Sequence, residues 1–452
     1  MKKPPDSSLY ETPAHDRTGR TLLWAMVAAF AVRLVVVGFV YQGFLDPGRD
    51  HWEFAFETGR IARSIIAGHG FGNLYYRGDT GPTAMVAPVL PYLLAGVMLL
   101  FGVCTKAAAL AMLTLNSLFS ALTCVPIFLI AKKSFGVWEA RWATWIWVFF
   151  PYAVYFSAAD MWNHSLTALL LSLLFLTALH LEDSTRLWAW AGFGFLGGGT
   201  ALVNPVVLGT LPFLGGWVCY RLRRKKIDWT PRAAIAGLAI LVALAPWLIR
   251  NYRVFHRPVL LNGFPLVFTV SNVGNTLHWW NPTGDPPGNA AEMAEFRRMG
   301  EQAYMAEKWR QMFAFIKSNP GTVLWRSLRR FVYMWTGYWS FRREYLHEER
   351  FDPPNIVLCT TFTALAMVGL RQAWRRAPDL ALPYGLLLLV FPPVYYFTSS
   401  TMAYRHPLDP EMVILVSCAV LSWLRAREGG RSRPRLRRTD VQQVEAPDPM
   451  AR

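Results

Sequence analysis

Charge is scarce in this chain. Only 17% of its 452 residues are Asp, Glu, Lys or Arg, against about a quarter in soluble domains. No polar segment is long enough to enclose a core of its own, so a string of soluble domains is excluded. There is no Walker loop, no GxGxxG fingerprint and no HExxH, and with them go the common sequence-borne nucleotide and zinc-hydrolase sites. The five cysteines (Cys104, Cys124, Cys219, Cys359, Cys418) form no CxxC pair and lie in apolar stretches. They read as small buried hydrophobes. No repeated block of the kind that builds inverted-repeat transporters is visible.

What fills the chain instead is hydrophobic: 53% of residues, with 20 Trp. Runs long enough to cross a bilayer occur at 21–42, 106–131, 139–157, 161–181, 186–203, 205–222, 232–250, 354–373, 379–398 and 409–425. A span must satisfy its own backbone, so each reads as a helix. The fold class expected is therefore an all-α polytopic membrane protein of about ten transmembrane helices, with re-entrant or juxtamembrane helices on one face.

The run 84–102, interrupted by Pro88 and Pro91, needs separate treatment. If it does not cross and the N-terminus is cytoplasmic, then Lys132–Lys133, the Arg221–Lys226 run, Arg371–Arg376 and the basic tail all fall inside. If it crosses, every one of them falls outside. The positive-inside rule selects the first threading. Residues 1–20 then form a cytoplasmic tail without a cleaved signal, 21–425 the transmembrane domain with outer loops 43–105 and 253–353, and 426–452 a disordered basic tail suited to anionic lipid. The net charge of +17 follows from this sidedness, and nucleic acid is not an expected partner.

Polar residues concentrate on the outer side. A surface helix over His51–Ala67 places Glu53 and Glu57 on one face, with Asp50 one turn earlier and Arg60 and Arg63 beyond. Such a face suits either ordinary ion pairs or a carboxylate that takes a proton from a hydroxyl, flanked by arginines for a phosphate. Asp160, before Trp162, Asn163 and His164, reads as the opening of a second outer helix, either a dipole-stabilising acid or a second functional carboxylate. In Tyr404-Arg405-His406-Pro407 the Arg–His pair suits a phosphate whose charge grows in reaction; anchoring at the interface is the alternative. Arg250 and Arg253 form a similar pair at another outer helix end, for which anchoring is favoured over a phosphate contact, and Arg33, inside the first span, reads as structural. The stretch from Pro258 to Trp280 admits short strands. From Asn289 to Trp339 amphipathic helices are expected, broken at Asn319-Pro320-Gly321.

The order of these features resembles a known family. An outer acidic helix leading into AGHGF (67–71), then PVLPYLLAGVMLLFG (88–102), PWLIRNYRVF (246–255) and AYRHPLDPEMVIL (403–415) is similar to the polyprenyl-phosphate-dependent C-type glycosyltransferases. The nearest branches are the protein O-mannosyltransferase-like (family 39) and aminoarabinose-transferase-like bacterial enzymes. The resemblance implies an inverting transfer from a polyprenyl-phosphate sugar, bound at the outer leaflet, to a hydroxyl of a lipid, glycan or protein acceptor. Members carry an adjacent acid pair early in the first outer loop, whereas Asp46, Asp50, Glu53 and Glu57 are spread out here. The offset of FETGRIARSI before AGHGF favours Glu57 as the acid, then Asp50. The implied site is thus Glu57, Asp50 and Asp160 for catalysis, and Arg60, Arg405 and His406 for the donor phosphate. No cofactor is required, and a divalent cation is compatible. The expected location is the bacterial inner (plasma) membrane, multi-pass, with both termini cytoplasmic and the active site periplasmic. A transporter or flippase of lipid-linked sugars is the alternative, although such proteins invest charge near the midplane and on both faces.

Overall fold

A computed structural model describes residues 14–45, 54, 56–75, 79–274, 284–348 and 352–431. Among the described residues the architecture is helical throughout, and the only β pairing is one antiparallel bridge between Gly72 and Pro82. The Pro258–Trp280 stretch, open to strands in the sequence, instead holds a helix at Phe264–Asn272; residues 275–280 lie outside the described set.

Helix α1 (Ala14–Val40) is followed by the short α2 (Glu57–Ile66) and the apolar α3 (Val89–Phe101). Then come α4 (Lys106–Leu122), α5 (Cys124–Ser134), α6 (Val137–Phe149), α7 (Pro151–Ala158) and α8 (His164–Leu181). The middle of the chain forms α9 (Leu187–Ala201), α10 (Leu211–Arg224), α11 (Thr230–Phe255) and α12 (Phe264–Asn272). The amphipathic segment gives α13 (Ala290–Met299), α14 (Glu301–Ser318) and α15 (Pro320–Thr336), with the expected break at Pro320. The chain ends with α16 (Arg343–Glu348), α17 (Asp352–Arg376), α18 (Pro378–Val390), α19 (Pro393–Phe397), α20 (Met402–Arg405) and α21 (Asp409–Arg431).

Among the described residues, seven stretches are long and apolar enough to cross a bilayer: Gly19–Gly43, Lys106–Ser134, His164–Leu181, Thr230–Phe255, Asp352–Arg376, Pro378–Phe397 and Met402–Arg427. The other three expected spans are present as shorter or broken helices. Residues 139–157 divide into α6 and α7 because Pro151 lacks the N–H that would continue the ladder. Residues 186–203 hold only α9, and 205–222 begin with a 3₁₀ turn at Pro205–Gly209 before α10.

The loops sort into two ends. At one, Lys133 pairs with Asp183 (3.3 Å), Lys225 with Asp183 (2.7 Å), Arg221 with Glu182 (2.9 Å), Arg224 with Asp379 (3.1 Å) and Arg425 with Glu139 (2.8 Å). These are the basic loops singled out by charge, and they meet. Each exposed pair contributes only about 0–1 kcal/mol, so their effect is to register helix ends. At the other end lie α2, α3 and α12–α15. Helix α3 does not carry the chain across: it starts where the Val89 amide bonds the Leu202 carbonyl (3.3 Å) and leaves toward Lys106, whose ammonium sits 5.1 Å from the Tyr41 ring at the end of α1. The chain thus re-enters α4 on the side that it left.

Inside the bundle, Arg33 is fully buried without a carboxylate. Its guanidinium donates to Ser120 Oγ (2.9 Å) and to the carbonyls of Ala29 (2.8 Å), Trp147 (3.2 Å) and Val148 (3.3 Å). The Trp147 carbonyl is the one that Pro151 cannot reach with an N–H. Arg33 therefore neutralises backbone polarity at the α6–α7 break, the structural role read for it.

Close helix contacts depend on glycine. A Cβ on Gly194 or Gly198 of α9 would strike α11, and one on Gly369 of α17 would overlap the Leu415 carbonyl oxygen. Gly369→Ala should therefore lower the apparent melting temperature in detergent, overpacking costing about 1–3 kcal/mol. Gly385→Ala, which meets nothing within 4 Å, should not. Equal melting of the two variants and the parent would show that α17 and α21 do not pack this closely.

Candidate active site

The acidic end is built around α2. Its first residue, Glu57, follows two aromatic residues forced into positive φ, Phe54 at 60° and Phe56 at 48°. Such a backbone costs on the order of 1–3 kcal/mol per residue and persists only where the surroundings enforce it. Phe54 is fully buried among Val37, Leu94, Met98 and Met161, which is what enforces it. The result aims Glu57 inward at a helix start. Burial raises its carboxyl above the ordinary range, while its own backbone amide and the charge of Arg60 pull it partly back. Residues 46–53 lie outside the described set, so the structure does not place Asp50.

Asp160 is not the first residue of a helix. It occupies the turn between α7 and α8, where its Oδ1 accepts the Trp162 amide (2.9 Å) and its Oδ2 lies 3.6 Å from His164 Nε2. Its own carbonyl accepts from Asn116 of α4 (2.9 Å). Burial pushes the Asp160 carboxyl up to about 7, against hydrogen bonds from the Trp162 and Met161 amides.

Tyr404 brings these two acids into one site. Its ring stacks on Tyr395 (4.7 Å, 6°) and meets His164 edge-on (6.0 Å), and its hydroxyl interacts electrostatically with both Glu57 and Asp160. A third acid joins them. Asp285, in the Pro- and Gly-rich turn before α13, is pushed up to about 7 by burial and by Glu57 and Glu292, with Lys308 opposing. Above them α13 and α14 form a roof, in which Lys308 pairs with Glu292 (2.9 Å) and Tyr304 donates to the same carboxylate. Glu301 ties that roof to the first loop by accepting the Ala84 amide (2.8 Å) and Asn262 Nδ2 (2.9 Å). Among the described residues no group of three or more His, Cys, Asp or Glu is arranged to hold a metal ion.

Arg405 and His406 lie elsewhere. Both are fully buried. Arg405 Nε reaches Asp409 Oδ1 (3.2 Å), and its Nη1 reaches Cys359 Sγ (2.8 Å), Thr363 Oγ1 (3.3 Å) and the Met334 carbonyl (3.3 Å). His406 Nδ1 meets Asp409 Oδ2 (2.9 Å), and the imidazole stacks on Trp147 (5.6 Å, 9°). They lie behind Tyr404 and tie the start of α21 to α15 and α17. Arg250 also anchors, donating to the carbonyls of Thr83 (2.7 Å) and Phe71 (2.5 Å).

Asp285 had no helical spacing to reveal it. The one sequence signal was an acid in an outer loop, within NPTGDPPGN. Tyr404 was visible only as a neighbour of the Arg–His pair.

No family model matches the chain, and no curated protein does. Among solved structures it is similar to the archaeal oligosaccharyltransferase AglB from Archaeoglobus fulgidus in complex with an inhibitory peptide and a dolichol-phosphate. The TM-score is 0.54 at 12% identity, over 92% of this chain and 52% of that one. The apo form of the Archaeoglobus fulgidus oligosaccharyltransferase gives 0.50 at 11% identity, over 92% and 52%. ArnT from Cupriavidus metallidurans bound to undecaprenyl phosphate gives 0.40 at 14% identity, over 93% and 80%. The chain spans about half the length of the oligosaccharyltransferase that it matches, 52%. At these identities the likeness is one of fold, and that fold is the C-type glycosyltransferase membrane bundle.

Two measurements check the site. Below the ordinary Asp value of 3.8 the Asp160 carboxyl is protonated in both states; between 3.8 and about 7 only the folded state keeps the proton. Its contribution to stability is thus lost as pH rises through about 7. Relative to the parent, Asp160→Asn should melt progressively higher as pH is raised toward about 7 and keep a constant lead above it; a pH-independent gap below that value would exclude a raised carboxyl. Asp409→Asn should destabilise by about 3–5 kcal/mol, since it leaves Arg405 buried without a counter-charge, and unchanged thermal unfolding would refute that pairing.

Proposed function

We propose that this protein transfers a sugar from a polyprenyl-phosphate donor to an acceptor hydroxyl, with inversion, at the outer (periplasmic) face of the plasma membrane. The observation that carries this reading is the convergence of Glu57 and Asp160 on Tyr404 at the acidic end of a C-type glycosyltransferase bundle. The AglB structure holds a dolichol-phosphate, which supports a lipid-phosphate donor here. Basic loops gathered at the opposite end support a cytoplasmic assignment for that end and for both termini.

Glu57 accepts the proton of the acceptor hydroxyl. The oxygen forms a bond to the anomeric carbon as the bond to the donor phosphate oxygen breaks. The electron pair leaves on the lipid phosphate, and the proton stays on Glu57. A carboxylate raised by burial is the stronger base, and for that reason suits this step. Arg60, one turn along α2, faces the developing phosphate charge. Asp160, with His164, orients the acceptor from the other side of Tyr404. Asp50, seven residues closer to α1 in the same loop, is the alternative base. Arg405 and His406 act at one remove, by fixing the segment that presents Tyr404.

The test is release of free lipid phosphate from a panel of polyprenyl-phosphate sugars offered, with acceptor extract, to purified protein in liposomes. The parent should release it, and Glu57→Gln should lose about 10²–10⁴-fold while melting normally. The acid limb of the parent's pH–rate profile should lie above the ordinary glutamate range, because only ionised Glu57 accepts a proton. Equal rates in parent and variant would move the base to Asp50. No release by folded parent, with movement of labelled lipid between leaflets, would replace transfer by transport.

A further inference from the structure

Helix α15 is amphipathic in an unusual way. Its outward face exposes Leu324, Trp325, Leu328 and Phe331, and its inward face buries Val323, Ser327, Arg330 and Met334. This pattern lays the helix along the membrane interface. Between it and the turn 338–342 lies a cleft of about 630 Å³. Four arginines line it: Arg326, Arg329, Arg330 and Arg342. Among the described residues no Asp or Glu lines it, and none of the four forms an ion pair.

Such crowding is electrostatically unfavourable, and among the described residues it is compensated by carbonyl and amide dipoles and one aromatic ring. Arg326 donates to the Asn272 and Gly274 carbonyls. Arg329 donates to the Trp339 carbonyl (3.1 Å) and lies 4.0 Å over that indole. Arg330, 1% exposed, donates to Asn272 Oδ1 (3.1 Å) and to the Tyr396 and Ser271 carbonyls, and its Nε has no partner. Burial, and then the charges of Arg326 and Arg329, push the Arg330 guanidinium down to about 9. Arg342 is exposed at the rim, and among the described residues its side chain makes no hydrogen bond.

We infer that this cleft is a binding site for a lipid headgroup carrying at least two phosphate charges, separate from the centre where the sugar is transferred. The charge count favours this occupant. A phosphate-linked sugar donor brings one negative charge, and four guanidiniums, which bind phosphate in a planar, bidentate manner, would remain mostly unneutralised. The exposed Trp325 and Leu328 along the same wall keep the occupant's tail in the bilayer. The cleft touches the segment that leads to Tyr404 through the Tyr396 carbonyl on Arg330 and through Ser400 Oγ donating to the Arg330 carbonyl (3.2 Å), and Glu57, Asp160 and Asp285 are not among the residues that line it.

The full-length protein in phosphatidylcholine nanodiscs would be titrated with cardiolipin (two phosphates), phosphatidylglycerol (one), a polyprenyl monophosphate and inorganic pyrophosphate, with binding read by native mass spectrometry. Cardiolipin should bind at least about tenfold more tightly than phosphatidylglycerol. Arg342→Gln and the double variant Arg329→Gln/Arg342→Gln should lose affinity stepwise, and Arg329→Lys/Arg342→Lys should retain most of it. Transfer at saturating donor should survive in Arg342→Gln. Equal cardiolipin affinity in parent and both glutamine variants would remove the site. Pyrophosphate binding as tightly as cardiolipin would make the occupant a soluble phosphate. One-for-one displacement of cardiolipin by polyprenyl monophosphate, with transfer lost in Arg342→Gln, would identify the cleft with the donor site and overturn its separateness.

Discussion

A single carboxylate inside the bundle holds much of the acidic end in place. Asp409 has no accessible surface and receives both Arg405 Nε and His406 Nδ1. In a low-dielectric interior three such groups persist only as a set, because any one alone would be an uncompensated charge or an unmet donor. Asp409 also stands in the first turn of α21, where a negative charge meets the positive end of the helix dipole. The consequence is positional. The short helix carrying Tyr404 is held against α15 by the Met334 carbonyl and against α17 by Cys359 and Thr363. Tyr404 then faces Glu57 and Asp160 from a fixed backbone, as a pre-organised site requires.

The rest of the bundle meets the same physical demand in other ways. Hydrocarbon offers no partner to a free carbonyl. Where Pro151 interrupts the α6–α7 span, Arg33 supplies the donors from a neighbouring helix. Where helices must cross closely, Gly194, Gly198 and Gly369 remove the atoms that would hold them apart. The two ends of the bundle then diverge in chemistry. At the basic end lysines and arginines are paired with Glu182, Asp183, Asp379 and Glu139. At the acidic end carboxylates crowd one another and arginines crowd one another, in separate places. Like charges gathered in one place are costly, and such clusters are a common mark of functional sites.

Much of this was legible in the residues. Hydropathy marked the spans, including the three that fold short, because the bilayer acts on each segment alone. Charge bias predicted which loops meet at one end. The break before Pro320 was readable from local rules. The opening of a helix at Asp160 was not: Asp160 caps a turn, and the helix begins at His164. Asp285 was hidden in a Pro/Gly turn whose neighbours in space are far away in sequence. The inward turn of Arg405 and His406 was also invisible, since an arginine at a helix end reads equally as a surface ligand or a buried partner until Asp409 is seen between them.

The sequence by itself determined the solvent of each segment: which stretches lie in lipid, which loops are basic, and that an acid-bearing helix follows the first span. Those are one-dimensional properties, summed over about 20 neighbouring residues. Only the tertiary structure decided which charges meet. The convergence of Glu57, Asp160 and Asp285, and the gathering of Arg326, Arg329, Arg330 and Arg342 around one cleft, depend on how each helix is rotated about its axis. That rotation is set by close contacts between helices distant in the chain, where a glycine, an orphaned carbonyl or a buried ion pair admits one arrangement and excludes its neighbours.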